Sequence, residues 1–295
     1  MPETPNIADP PRPTEEATDF QAHRGFLAGL AYRMLGSVAE AEDVVQDAFL
    51  RWREVDRPAV AEPRAYLARV VSRLCLDRMK SASHRREQYV GMWLPEPVVA
   101  EPAHDLADDL SVALLLALER LSPLERAAFL LHDVFDMDYA AVAETLEANE
   151  AACRQLAARA REHVRQDRPR YPPSETEARQ IADAFVAAAA SGDLAGLARL
   201  LADGAVLYAD GGGKRRTALN PIAGKDRIVR FYDGLKTKGS GAFTAFRVDA
   251  VTLNGLPGFV FHTPDGPHTL AIQIAAGAIV ALYFVSNPDK VSHLS

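Results

Sequence analysis

The spacing of the apolar residues changes once along this chain, and the change limits the folds open to it. Before Ala205 the apolar positions recur every three or four residues, as on one face of a helix. After Ala205 they form short runs rich in Val, Ile, Phe and Tyr, separated by Gly, Pro and Asn, as in strands. A helical stretch at 225–236 interrupts these runs. The pattern predicts a helical N-terminal half followed by an α+β domain.

Proline-rich and acidic stretches divide the chain further. A Pro-rich, non-periodic stretch separates two helical blocks, and the prolines at 169, 172 and 173 precede the α+β part. The predicted segments are a disordered leader (1–16), a first helical domain (17–88), a linker (89–108), a second helical domain (109–168), a linker (169–176) and the α+β domain (177–295).

The composition excludes several classes of protein. No run of about 18 apolar residues occurs, so we expect no membrane span. The N-terminus lacks the basic start and apolar core of a signal peptide, which favours a cytoplasmic protein. Cys75 and Cys153 each lie in a helical pattern, and we expect both to be buried packing residues without a disulfide or a metal site.

Basic residues are concentrated in two stretches although the net charge is -7. Six arginines against two acids lie between Arg154 and Arg170, and the excess from Arg64 to Arg86 is similar. Such local stripes attract a phosphate backbone. The sequence therefore predicts nucleic-acid binding by two separate helical segments.

The first stripe lies on an amphipathic helix. Arg69, Arg73, Asp77 and Lys80 share one face, and Leu67, Val70, Val71, Leu74 and Cys75 share the other. The polar face can contact phosphates or unstacked bases. A merely solvated face explains the same pattern and stays open at this point.

The second stripe follows a helix-turn-helix pattern, with helices predicted at 138–146 and 150–165. Residues of types that contact base edges begin the second helix, namely Asn149, Glu150, Arg154 and Gln155. Arg159, Arg161 and Arg165 are better placed for backbone contacts. A plain helical hairpin remains the alternative.

Several stretches together resemble a known family. "AEDVVQDAFLRWREV", "RAYLARVVSRLCLDRMKS" and "LERLSPLERAAFLLHDVFDMDYAAVAETL" are similar, in order and spacing, to region two and region four of bacterial extracytoplasmic-function (ECF) RNA polymerase sigma factors. "WLPEP", "DGGGK" and "NPDK" resemble three signature motifs of one subgroup. In that subgroup a SnoaL-like domain, of the cone-shaped nuclear transport factor two-like fold, follows the two all-α sigma domains.

The resemblance implies partners and roles for residues. Region two would bind the β′ clamp coiled coil of core RNA polymerase, and region four the β flap. The implied polymerase contacts are Asp43, Gln46 and Asp47. The implied −10 contacts are Arg64, Arg69, Arg73, Lys80, Arg85 and Arg86, and the implied −35 contacts are Asn149, Glu150, Arg154, Gln155, Arg159 and Arg161.

Two positions depart from the family pattern. Many relatives have Asn where Arg73 stands, which leaves the −10 base preference open. They have Gly where Glu147 stands, in the turn of the helix-turn-helix. We expect a non-glycine turn here, with Asn149 as the N-cap of the second helix.

The resemblance also implies regulation in cis, in which the fused domain takes the place of a separate anti-sigma protein. "DGGGKRR" at 210–216 does not fit a P-loop, because its glycines are contiguous and no helix is predicted before Lys225. A plain hairpin loop remains an alternative. The expected interdomain residues are Trp93, Leu94, Pro95, Asp210, Gly211, Gly212, Gly213, Lys214, Asn287, Pro288, Asp289 and Lys290.

An enzyme or a small-molecule sensor, fused to a DNA-binding N-terminal half, is the alternative for the C-terminal domain. The candidate acids and bases are Tyr208, Asp210, Asp233, His262, Asp265 and His268. No pair has a spacing that requires catalysis, so we expect no enzyme and no cofactor. His262 and His268 flank "TPDGP", a predicted turn, and are expected to be exposed. An unknown small ligand in a pocket stays open.

Overall fold

The computed structural model describes residues 15–56, 60–87, 89–99, 112–166, 173–238 and 244–294. Most of the predicted leader and parts of both predicted linkers lie outside these ranges. Within them, no helix is both long and apolar enough to cross a membrane.

The N-terminal half is helical, as the three-to-four-residue spacing predicts. Its helices are α1 (Glu15–Leu35), α2 (Val38–Arg53), α3 (Pro63–Glu87), α4 (Val112–Glu119), α5 (Pro123–Phe129), α6 (Tyr139–Leu146) and α7 (Glu150–Gln166). A π-helical turn, Leu130–Val134, extends α5. Ser122 and Glu125 form a reciprocal capping box at the start of α5, which fixes where that helix begins.

One continuous apolar core joins the two helical units. It contains Leu30 and Val44 from the first unit and Leu118, Leu130 and Ala157 from the second. Helix α3 packs against both α5 and α6. The two units are therefore packed against each other, although the sequence patterns treat them as separate domains.

The C-terminal part is an α+β domain, as predicted. It contains α8 (Glu175–Ser191), α9 (Leu194–Leu200), β1 (Leu201–Asp210), β2 (Ile222–Ala223), α10 (Lys225–Lys238), β3 (Arg247–Leu253), β4 (Leu256–Thr263), β5 (Gly266–Ala275), β6 (Ala278–Val285) and α11 (Pro288–Val291). The strand order is β2-β1-β6-β5-β4-β3. The β1–β6 pair is parallel and the others are antiparallel. The two-residue strand β2 was not predicted.

Both faces of this sheet are covered. On β6, Leu282 belongs to the core beneath α8–α10, whereas Tyr283 and Val285 belong to a second core on the opposite face, as the two-residue period of a strand requires. That second core includes Leu94 from the linker and Val112 from α4. The linker and the second helical unit therefore contribute to the outer face of the sheet.

Candidate functional site

Helix α2 presents the three implied polymerase contacts on its outer side. Val44, Val45, Ala48 and Trp52 are buried beneath it, and the spacing leaves Asp43, Gln46 and Asp47 at the surface. Arg78 of α3 forms ion pairs with Asp43 at 3.4 Å and with Asp47 at 2.9 Å. The carboxylates are thus held by a neighbouring cation but remain half exposed.

Two of the implied −10 residues contact the helix-turn-helix. Arg69 pairs with Glu144 of α6. Arg73 donates to the carbonyl oxygen of Glu144 at 3.0 Å and lies 3.2 Å from the Glu147 carboxylate. The polar face of α3 is therefore not simply solvated, because α6 covers part of it.

The other implied −10 residues lie apart from α6. Lys80 is exposed and pairs with Asp77 at 3.1 Å. The guanidinium of Arg64 lies over the Phe26 ring, 4.2 Å from its centroid. The side chains of Arg85 and Arg86 lie outside the described part of the structure.

The turn of the helix-turn-helix forms without glycine. Glu147 ends α6 in the left-handed region, with φ 52° and ψ 43°. The side chain of Asn149 accepts from the backbone N–H of Ala152 at 2.8 Å, which caps α7. This is the turn that the sequence predicted, with Asn149 as the N-cap.

We expect a Glu147→Gly chain to be more stable than a Glu147→Gln chain by about 1 kcal/mol, because only glycine removes the strain of the left-handed turn. Both variants lose the exposed pair with Arg73, so that contribution cancels. Urea unfolding of the two variants measures the difference. Equal stabilities would show that the turn is unstrained.

The implied −35 residues on α7, the second helix of the helix-turn-helix, are of two kinds, some exposed and one held by contacts with neighbouring helices. Gln155 and Arg159 are exposed, and Arg154 pairs with Glu150 along the same face at 3.0 Å. Arg161 instead pairs with Asp133 at 2.5 Å and donates to the Tyr139 hydroxyl at 2.7 Å. Arg161 therefore ties α7 to the π-helical turn and to α6. Arg165 is exposed and pairs with Glu162 at 3.3 Å.

Asp210 is the centre of an interdomain contact. It is fully buried at the end of β1. One carboxylate oxygen accepts from the Tyr89 hydroxyl at 2.5 Å and from the Gly212 N–H at 3.0 Å. The other accepts from the Leu94 N–H at 2.9 Å and from Lys290 Nζ at 2.8 Å. Four donors from three separate segments therefore meet on one carboxylate.

Lys290 completes the contact from the C-terminal end. Its Nζ donates to the Leu94 carbonyl at 2.5 Å and lies 4.1 Å from the Trp93 ring centroid. Its side chain is only 10% exposed, so the charge depends on Asp210 and on these partners. We call Tyr89, Trp93, Leu94, Asp210 and Lys290 the buckle.

The linker motif also contacts the first helical unit. The Glu96 carboxylate accepts from Ser37 Oγ at 3.1 Å and from the Val38 N–H at 2.8 Å, at the start of α2. Ser37 is itself the N-cap of α2. Gly36 has φ +72°, and a side chain there would collide with the Trp93 indole. The motif thus joins the C-terminal domain to the α1–α2 turn.

A second polar connection reinforces the first. The Asn254 amide donates to the Tyr32 hydroxyl at 2.7 Å and accepts from the Val98 N–H at 3.0 Å. Tyr32 in turn donates to the Glu96 carbonyl at 2.6 Å. Burial strongly raises the pKa of Tyr32, so the phenol keeps the proton that it donates.

The remaining residues that the resemblance implies as interdomain contacts lie around the buckle. Lys214 pairs with Asp289 at 2.6 Å in an exposed position. A side chain on Gly212, whose φ is +60°, would meet Asn287, which donates to the Tyr89 hydroxyl at 2.8 Å. The other residues of the expected interdomain set adjoin Leu94, Gly212 or Asp289 in the sequence. They are Pro95, Gly211, Gly213 and Pro288. Sequence reasoning missed Tyr89, Glu96 and Asn254.

The six candidate acids and bases do not form a catalytic group. No side-chain hydrogen bond joins any two of them among the described residues. Asp210 belongs to the buckle, Tyr208 stacks on Tyr283 at 5.5 Å, and Asp233 is exposed on α10. No cluster of three or more metal-binding side chains occurs in the described ranges.

The expectation that His262 and His268 are exposed is wrong. Their exposed fractions are 9% and 5%. His262 contacts the Asp249 carboxylate at 2.8 Å on the neighbouring strand, and His268 stacks on Phe284 at 5.7 Å. Pairing of β4 with β3 and of β5 with β6 buries them, which the turn sequence alone does not show.

Burial lowers the pKa of His268 to about 4. As the pH falls below about 6.5, this histidine becomes protonated in the unfolded chain but stays neutral in the folded chain. The free energy of unfolding therefore decreases between pH 6.5 and 4. We expect the free energy of unfolding to fall, between pH 7 and pH 4, by up to about 3 kcal/mol less in a His268→Gln chain than in the unsubstituted chain. Unfolding free energies at pH 7 and pH 4 measure it; equal losses in both proteins would contradict the assignment.

Family profiles match both helical units. The profile of Sigma-70 region 2 matches residues 20–85. The profile of Sigma-70, region 4 matches residues 111–164. These ranges span most of α1–α3 and most of the helix-turn-helix, respectively.

Relatives match nearly the whole chain. The ECF RNA polymerase sigma factor SigJ of Mycobacterium tuberculosis is 42% identical over 290 residues, 93% of each chain. A probable ECF RNA polymerase sigma factor of the same organism, SigI, is 34% identical over 93% of this chain and 94% of its own. The crystal structure of the M. tuberculosis SigJ covers 93% of this chain and 98% of its own at 38% identity, with a TM-score of 0.77. The chain therefore belongs to the ECF RNA polymerase sigma factors, in the group with a C-terminal SnoaL-like domain, and directs transcription initiation by core RNA polymerase at promoter DNA rather than acting as an enzyme.

Proposed function

We propose that the SnoaL-like domain of this sigma factor regulates it in cis, by holding regions two and four in a closed arrangement that cannot engage a promoter. The observation that carries the proposal is the contact between α3 and α6. Arg69 and Arg73, which the family resemblance assigns to the −10 element, are bound by Glu144 and Glu147 of the helix-turn-helix.

Distance makes this contact incompatible with promoter binding. The −10 and −35 elements lie about 25 base pairs apart, which is roughly 85 Å along B-form DNA. A compact unit of about 150 residues has a radius of gyration of only ~15 Å. Regions that share one core cannot reach both elements at once, so they must separate before the promoter is read.

The buckle stabilises the closed arrangement through contacts that lie outside the core shared by regions two and four. Leu94 and Glu96 connect the sheet of the SnoaL-like domain to the start of α2, and Val112 of α4 packs in the same apolar core as Leu94. Within region four, Arg126 also donates to the Met34 carbonyl of region two at 2.6 Å. Because the linker tethers these surfaces, even a modest contact is populated at high effective concentration.

The contacts of single residues with polymerase and with promoter DNA are inferred from the family resemblance and from the exposure of their side chains. Asp43, Gln46 and Asp47 contact the β′ clamp coiled coil, and region four contacts the β flap. Arg154 and Gln155 are exposed on α7 and enter the −35 major groove, and the exposed Arg159 contacts the DNA backbone beside it. As a partner of core polymerase, the protein acts in the cytoplasm.

Run-off transcription with core polymerase tests the regulatory proposal. Asp210→Asn breaks the buckle, whereas Asp289→Asn removes only the exposed pair with Lys214. We expect several-fold more promoter-specific transcript from Asp210→Asn than from the unsubstituted chain, and little change from Asp289→Asn. Equal yields from all three proteins, with the Asp210→Asn chain shown to be folded, would overturn the proposal.

A further inference from the structure

The SnoaL-like domain contains a large cavity that no part of the proposed regulation uses. It lies between α8, α10 and the inner face of the sheet, with a volume of about 1140 Å³. Its wall is largely apolar and includes the aromatic rings of Phe185, Phe231, Tyr232, Phe261 and Phe284. Ligand pockets occupy roughly 300–1,000 Å³, whereas ordinary cores leave few voids larger than a water molecule.

Part of the cavity lining is cationic. Lys214, Arg215 and Arg216 follow one another along the chain and form what we call the cationic end, and Lys238 is a fourth cation in the lining. Asp265 is the one acid among the lining residues in the described ranges. Lys214 pairs with Asp289, and Arg215 donates to the backbone carbonyls of Asp265 and Pro267. Arg216 and Lys238 are exposed and form no ion pair with any residue whose placement is described.

His268 in the wall is uncharged near neutral pH, because burial lowers its pKa to about 4. His268 lines the cavity, and its Nε2 lies 3.2 Å from the Thr263 hydroxyl. That hydroxyl donates to the Gly266 carbonyl at 2.7 Å, so it must accept from His268 Nε2. The positive charge of the lining therefore comes from its lysines and arginines, and not from His268.

We propose that this cavity binds a small amphipathic carboxylate, with its apolar body against the aromatic wall and its carboxylate at Arg216 and Lys238. A guanidinium matches the two oxygens of a carboxylate, and the apolar body supplies most of the favourable burial. A cationic ligand would meet like charges, and a neutral one would leave the cationic end without a partner.

The position of Arg216 connects this site to the closed arrangement, an inference that rests on the proposed function. Arg216 lines the cavity and lies in the loop that follows Asp210, whose Gly212 N–H donates to the Asp210 carboxylate at 3.0 Å. A carboxylate bound at Arg216 draws this loop toward the cavity and thereby weakens its contact with Asp210. Ligand would then raise transcription from the unsubstituted chain.

Isothermal titration of the full chain with sodium decanoate and with 1-decanol tests the binding site. We expect decanoate to bind at least tenfold more tightly than the alcohol. The double variant Arg216→Gln, Lys238→Gln should lose that preference, whereas Arg227→Gln, an exposed arginine of α10 outside the cavity, should keep it. Ala189→Trp, which places an indole in the cavity wall, should abolish binding of both.

Equal affinities for decanoate and 1-decanol would overturn the proposal, as would a decanoate affinity unchanged by the double variant. Failure to bind either compound would overturn it too. Because titration does not involve polymerase, these results are independent of the run-off assay. Decanoate binding without a change in transcript yield would leave the site intact and refute only its connection to the buckle.

Discussion

Asp210→Asn is expected to weaken the docking of the SnoaL-like domain on the linker by about 3 to 5 kcal/mol. The substitution preserves the shape of the side chain but leaves the buried charge of Lys290 without its counter-ion. Removal of one partner from a buried pair is costly because the remaining charge stays desolvated. The Leu94 N–H, which donates to Asp210, reports directly on this docking.

Hydrogen exchange at the Leu94 amide measures the effect, with exchange expected to be more than a hundredfold faster in the variant. Asp289→Asn is the matched control, because it removes an exposed pair worth at most about 1 kcal/mol. If both variants accelerate exchange equally, the buried pair does not hold the linker.

Leu94→Ala is expected to lower the free energy of unfolding by about 2 to 5 kcal/mol, through the loss of packing alone. Leu94 is fully buried in the core on the outer face of the sheet, beside Leu253, Tyr283 and Val291. Truncation removes apolar contacts and leaves a cavity that the rigid sheet cannot fill.

Leu124→Ala serves as the control for this change, since Leu124 is 46% exposed on α5 and should cost less than about 1 kcal/mol. Urea unfolding, followed by tryptophan fluorescence, compares the two. A Leu94→Ala chain as stable as Leu124→Ala would mean that the linker does not form part of the core.

Patterns within single elements account for what the sequence predicts correctly. The switch of apolar period at Ala205 predicts the helical and α+β halves. Asn149 at the N-cap explains how the helix-turn-helix forms without glycine. Each of these depends on residues a few positions apart, where spacing and propensity decide the structure.

Contacts between distant segments are what the sequence does not show. Tyr89 lies 121 positions from Asp210, and Asn254 lies 222 positions from Tyr32. A Tyr, Glu or Asn in a linker or turn carries no local signal of its partner. The burial of His262 likewise depends on which strand pairs beside it.

The assignment of individual DNA contacts stays a prediction. Arg161 was implied as a −35 contact, yet it is bound to Asp133 and Tyr139 within region four. These two contacts raise the pKa of Arg161. They favour a role in holding region four together over a contact with DNA. Arg159, on the exposed face of the same helix, has no comparable attachment among the described residues.

The distance between regions two and four tests the central claim most directly. Fluorophores on cysteines introduced at the exposed positions Arg51 and Ala158 would report it by single-molecule energy transfer, with Cys75 and Cys153 replaced by serine. We predict one short distance in the free chain, and a shift to longer distances both in the Asp210→Asn chain and in the complex with core polymerase and promoter DNA. A free chain that already shows the distance of the promoter complex, or an Asp210→Asn chain that keeps the short one, would contradict the claim.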